Sequence, residues 1–137
     1  QAALGCAQLE RVNRIIVQKK RVYGLYCKHL KNVPGITMQE FKKPVLPVVW
    51  AIAVKLDPKA FKGSRERIRE HMLQDGIETR PGFYPFQTMP LYRRFVKKQL
   101  PVARDVGANV LSLPSFAQLR EEEIVRICST LCSMRKS

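Results

Sequence analysis

The apolar pattern along this chain predicts an α+β fold, a two-layer sandwich of a small, mostly antiparallel sheet with a long amino-terminal helix and further helices packed on it. Three observations predict it. The elements read in the order helix, strand, strand, helix, strand, irregular, strand, helix, and the strands are short, with the helices on one side. At 137 residues with 45% hydrophobic content, the chain forms one domain, spanning 1–137, large enough for a true core. No internal repeat or low-complexity tract divides it.

Leu4 to about Leu30 reads as one long amphipathic helix. Leu4, Val12, Ile15, Ile16, Val22, Tyr23, Tyr26 and Leu30 share a stripe roughly 140° wide at helical spacing. Glu10, Arg14, Arg21 and Lys28 lie opposite, and Asn32-Val33-Pro34-Gly35 ends the helix with a turn signal. Ile36 to Gln39 is a short strand, followed by a basic, proline-bearing loop through Pro47. Val48 to Leu56 is apolar enough to be a strand covered on both faces, closed by Asp57-Pro58. Ser64 caps a helix that turns Ile68 and Met72 inward and stops at Gly76. Ile77 to Arg80 is the next strand. Met89 to Tyr92 begins a short helical turn, Val102 to Val106 forms another, and Asn109 to Leu113 is extended up to Pro114-Ser115. Glu121 to about Met134 is a helix with three glutamates at its positive end and a buried stripe of Ile124, Ile127, Cys128 and Leu131.

Composition excludes several classes. No apolar run approaches the roughly 20 residues of a membrane span, and no secretory signal pattern opens the chain. The chain begins at Gln1, already inside helical pattern, and reads as a piece of a longer protein. Cys6, Cys27, Cys128 and Cys132 include no C-x-x-C pair, and His29 and His71 have no ligand-spaced partner, so no metal site is expected. Free thiols fit a reducing, cytoplasmic compartment. The net charge of +14 suits a polyanionic partner. Its carriers are scattered, however: Lys19-Lys20-Arg21, Lys42-Lys43, Arg93-Arg94 and Lys97-Lys98 interleave with apolar positions and read as solvated helix faces.

No phosphate-binding glycine loop, nucleophile elbow, Cys–His pair or close carboxylate pair occurs, so the chain offers no catalytic residue of its own. The informative stretch is Gly76 to Pro85. It packs a helix stop, a short extended run, an arginine, two prolines and two aromatics into ten positions. Glycine and the rigid X-Pro steps aim Arg80 and Tyr84 out of a sheet edge rather than into a core. The plainer reading is a surface connection whose arginine is merely solvated.

The motifs, taken in order, carry a resemblance. They are Ala2 through Glu10, Pro34-Gly35-Ile36, Trp50 in its strand, Gly76-Ile77-Glu78-Thr79-Arg80-Pro81, Phe83-Tyr84-Pro85, Met89-Pro90-Leu91-Tyr92 and Leu111-Ser112-Leu113-Pro114-Ser115. Together they resemble the carboxy-terminal small domain of the DegT/StrS family of sugar aminotransferases, over nearly the whole chain. These are pyridoxal-phosphate (PLP) enzymes of fold type I that aminate nucleotide-linked keto-deoxysugars, as perosamine synthetases do.

The resemblance implies that a large domain, absent from this chain, holds the cofactor lysine and most phosphate contacts. None of the lysines here sits in such a motif; Lys19, Lys20 and Lys28 lie on a polar helix face with no apolar pocket to depress a pKa. The isolated chain is therefore expected to bind no PLP and to be inactive. The intact enzyme would be a homodimer using an amino-acid donor such as glutamate and a nucleotide-sugar substrate.

By position, Arg80, Tyr84, Gln87 and Tyr92 would lie near that substrate. Arg80 would offer a two-pronged donor to a phosphate or carboxylate. Tyr84 would stack on or hydrogen-bond the sugar, and Tyr92 would support the loop. Gln87 stands where the family usually has histidine, and it can hydrogen-bond but cannot titrate near neutral pH. Trp50, Phe83 and Phe86 read as packing side chains. The alternatives are a basic nucleic-acid-binding module around Lys19–Lys31 and Arg93–Lys98, or a non-catalytic protein-interaction domain.

Overall fold

Side-chain burial decides where the first helix is continuous. The computed structural model describes residues 1–136. It places α1 at Ala2–Leu9 and α2 at Val12–Leu30, in place of the single helix expected from Leu4. The chain departs from helical geometry at Arg11, whose φ and ψ are −108° and 0°. Nothing opposes the break, because α1 buries no residue and Leu4 and Leu9 are 71% and 70% exposed. Only the later part of the stripe reaches the core: Val22, Tyr26 and Leu30, spaced four apart, are fully buried.

The sheet has four antiparallel strands in the order β1-β2-β4-β3, formed by Ile36–Met38, Ile52–Leu56, Val110–Leu113 and Arg80–Pro81 respectively. Ile52, Val54 and Leu56 alternate inward with Leu111 and Leu113 on the same face, where α2 and the last helix cover them. The α+β sandwich is thus as expected.

Two strands are shorter than their sequences imply. β2 pairs with β4 only as far as Ile52↔Leu113, because Pro114 follows and has no N–H to donate. Upstream of that point Val48 and Trp50 are 75% and 66% exposed, so the expected strand from Val48, covered on both faces, is not found. The second face of the sheet is only partly covered, by α4 (Pro101–Asn109), whose Asp105 pairs with Lys55. Likewise β3 starts at Arg80↔Ser112, not at Ile77.

Ile77 has another task. Helix α3, Arg65–Gln74, begins at Ser64, whose hydroxyl accepts from the Arg67 amide at 3.4 Å. It ends with Gly76 N–H on the Leu73 carbonyl and Ile77 N–H on the Met72 carbonyl, at 2.9 and 2.8 Å. That double closure needs a left-handed residue, which Gly76 supplies at φ 73°. Met72 and Ile77 are both buried. Two 3₁₀ segments, Phe86–Thr88 and Pro90–Phe95, follow β3. Helix α5, Glu121–Ser133, buries the four residues expected of it, and Glu123 turns back to accept the Arg120 amide at 2.8 Å.

Candidate functional site

The segment from Pro114 to Arg120 has no regular structure, and its carbonyls are satisfied from the side, by α2. Tyr26 Oη donates to the Pro114 carbonyl at 2.9 Å. Lys19 Nζ donates to the Ser115 carbonyl and, at 2.9 Å, to the Trp50 carbonyl; Ser115 Oγ also donates to Trp50 at 2.9 Å. Arg21 reaches the Leu119 carbonyl, and Lys28 pairs with Glu121 at 2.9 Å. These cations were expected to be a solvated face. Lys19 and Arg21 are ties instead, because the loop opposite them presents carbonyls with no strand partner, while Lys28 remains an exposed partner of Glu121. Lys19 in particular departs from expectation, since partial burial holds its amine below the ordinary lysine value. A polyanion would find Lys19 and Arg21 already engaged.

The loop so anchored borders a large cavity, about 690 Å³, at the end of the sheet. Trp50 and Phe83 flank it with ring centroids 6.3 Å apart and planes at 47°. Ile77, Leu113, Leu119 and Ile127 supply apolar lining; Arg80, Arg126, Glu78, Glu123 and Ser115 supply the polar lining. Trp50, Phe83 and Phe86 are therefore not packing side chains: they are 66%, 85% and 49% exposed. The pairing of β2 and β4 stops before Trp50, so nothing carries its ring inward.

Arg80 sits on the edge strand with its guanidinium exposed, 2.7 Å from Glu78. Such an exposed pair is weak and competes little with a ligand. Arg80 borders both the large cavity and a second cleft of about 410 Å³ shared with Arg69 and Thr79. Tyr84 is half exposed, and the Arg65 guanidinium lies 5.6 Å from its ring centroid. Gln87 spends its amide on one backbone unit: Nε2 donates to the Leu100 carbonyl at 2.9 Å, and Oε1 accepts the Leu100 amide at 3.1 Å. It lines a separate small cleft with Arg93 and Arg104. Tyr92 stands on the second 3₁₀ segment, half exposed.

Of these four positions, then, Arg80 alone borders the large cavity. Trp50, Phe116 and Arg126 join it there, and sequence reasoning assigned them no such place. The signal available was Pro114, which ends β4 and leaves a loop that must be tied from elsewhere.

Among the described residues, no group of three His, Cys, Asp or Glu could hold a metal ion, and no helix is long and apolar enough to cross a membrane. PLP needs a lysine amine free to bond it. The partly buried amine of Lys19 is instead committed to Trp50 and Ser115, so this lysine is not free for that bond.

Comparison with known proteins places these features. A family model described as the DegT/DnrJ/EryC1/StrS aminotransferase family matches residues 1–132. GDP-perosamine synthase of Escherichia coli O157:H7 is 33% identical over 130 residues, covering 95% of this chain and 34% of that protein. The Escherichia coli dTDP-4-amino-4,6-dideoxy-D-glucose transaminase is 32% identical over 134 residues, covering 95% and 36%. The crystal structure of DesI with its TDP-sugar product matches with a TM-score of 0.86 at 26% identity, over 96% of this chain and 34% of that one. The chain thus spans about a third of the length of the relatives it matches.

Proposed function

The chain belongs to the DegT/DnrJ/EryC1/StrS aminotransferase family, and from that premise we propose that it is the carboxy-terminal small domain of a transaminase acting on nucleotide-linked sugars. Its substrate would be a keto-deoxysugar carried on a nucleoside diphosphate, and its amino donor glutamate. The observation that carries this reading is Arg80, an exposed guanidinium on the rim of a cavity flanked by Trp50 and Phe83. A planar fork beside aromatic faces suits a ligand that joins phosphate to rings.

In this reading Arg80 holds the diphosphate, and the half-exposed Tyr84 offers its ring and hydroxyl to the sugar. Gln87 fixes the loop between Thr88 and Gln99 through its two hydrogen bonds to Leu100, and so holds Tyr92 in reach. The family's cofactor, PLP, supplies the carrier of the amino group when bound. Residues outside this chain would hold it, and the chain alone would be inactive. The intact enzyme would work as a cytoplasmic homodimer.

The test is a binding titration of this chain with GDP-mannose, a stable GDP-linked sugar, against free mannose and GDP. Binding that needs the nucleotide diphosphate and weakens in Arg80→Lys supports the reading. Equal affinity in Arg80→Lys, or no binding at all, counts against it. A second arm supplies PLP, glutamate and a nucleotide-linked keto sugar: turnover by the unassisted chain would contradict its role as one wall of a larger site.

A further inference from the structure

Arg65 is 6% exposed, a guanidinium almost wholly withdrawn from water. A buried cation persists only where its donors are met. Here Nη1 donates to the Gly107 carbonyl at 2.6 Å and reaches the Val110 carbonyl at 3.4 Å. Nη2 and Nε donate to Glu66 Oε1 at 2.6 and 3.0 Å. Gly107 lies in the last turn of α4, where carbonyls lack helical partners and a cation is favoured. The remaining face of the group meets the ring of Tyr84, 5.6 Å from its centroid.

The backbone around Tyr84 is pinned at the same place. A methyl built on Gly107 would lie 2.4 Å from Pro85 Cδ and 3.4 Å from the Phe83 carbonyl, so α4 crosses directly over the segment that carries Tyr84. Before the ring, Gly82 N–H donates to the Val110 carbonyl at 2.9 Å; after it, Thr88 N–H donates to the Pro85 carbonyl at 2.9 Å. Backbone contacts thus set the path of the segment, and the Arg65–Tyr84 contact adds to their hold on it. Arg65 is the group that touches both the crossing helix and the ring.

We infer that Arg65 is a positioning residue: its guanidinium, clasped to the end of α4, sets the orientation in which Tyr84 meets a nucleotide-linked sugar. The inference rests on the reading of Tyr84 given above. Lysine cannot replace the arginine here, because one ammonium cannot serve these carbonyls and also present a flat face to the ring. If Arg65 were only a satisfied core cation, its loss would lower stability everywhere and leave no particular bond with Tyr84.

Two measurements on the whole chain decide this, with Arg65→Lys, Tyr84→Leu and the double variant. In hydrogen exchange, Arg65→Lys and Tyr84→Leu each speed the Gly82 and Thr88 amides about tenfold, a charge-assisted contact's worth, while β2 and β4 amides hold their rates. Acceleration spread evenly over the core, or none at Gly82 and Thr88, overturns the inference. Tyr84→Leu leaves Arg65 its carbonyl partners, so it remains informative if Arg65→Lys does not fold. In GDP-mannose titrations, Arg65→Lys weakens binding about fivefold in the wild-type background and not at all beside Tyr84→Leu. An equal loss in both backgrounds overturns it. If the wild-type chain binds no GDP-mannose, the sugar-nucleotide reading fails, and the exchange result alone decides whether Arg65 positions Tyr84.

Discussion

The hydroxyl of Tyr26 donates to the carbonyl of Pro114 at 2.9 Å, joining residues 88 positions apart. Pro114 is where β4 stops and where the loop bordering the large cavity begins. A buried helix residue therefore anchors the rim of the candidate site. Tyr26→Phe keeps the packing and deletes this bond. It should cost about 1–2 kcal/mol, seen as a lower urea midpoint with unchanged slope.

Alkaline pH should act on the same residue. Burial raises the Tyr26 phenol above its ordinary 10.0, and burial likewise pushes the Cys128 thiol from 9.0 to about 12 and the Tyr23 phenol to about 12. The unfolded chain therefore releases these protons first. Stability is full below the ordinary values and falls as pH rises from about 9 towards 12. Urea midpoints measured across that window should decline, and Cys128→Ala should flatten the early part of the decline.

Lys19→Met removes the amine that ties Ser115 to Trp50. A loss of about 1–3 kcal/mol is expected, because the Ser115 carbonyl is left without its donor while Trp50 keeps only the Ser115 hydroxyl. Trp50 is the only tryptophan, so its fluorescence reports the loop directly. Its emission should change before the global unfolding transition, whereas in the parent chain the two should coincide.

Arg80→Lys should leave stability within about 0.5 kcal/mol, since the guanidinium is exposed and its pairing with Glu78 is weak. Affinity for GDP-mannose should fall about tenfold, because lysine cannot form the two-pronged contact. Parallel thermal melts and titrations separate the two effects.

Gly107→Ala should destabilise by about 1–3 kcal/mol, because its methyl would stand 2.4 Å from the Pro85 ring. Thermal unfolding measures the loss, and exchange at Thr88 locates it.

Much of this structure could be read in advance where the cause is local. The cap at Ser64, the stop at Gly76 and the buried stripe of α5 each depend on residues within a few positions, and each stands as expected. The edge placement of Arg80 was likewise legible from Gly76 and the two prolines. Errors came where the partner is distant. Trp50 sits in a strand-like run, yet its ring is exposed because pairing depends on how far β4 extends. The grip of Gln87 on Leu100, thirteen positions on, likewise appears only in the folded loop.

Sequence by itself determined the α+β class, the order of elements, the apolar faces and the family resemblance, because periodicity and turn chemistry act over a few residues. Tertiary structure alone decided that α2's cations tie a loop, that Arg65 is buried against Gly107 and Tyr84, and that Arg80 shares a cavity with Trp50. A lone lysine or arginine codon carries no record of which distant carbonyl will lack a partner. That is settled only when strands end and leave their backbone groups to be met from across the fold.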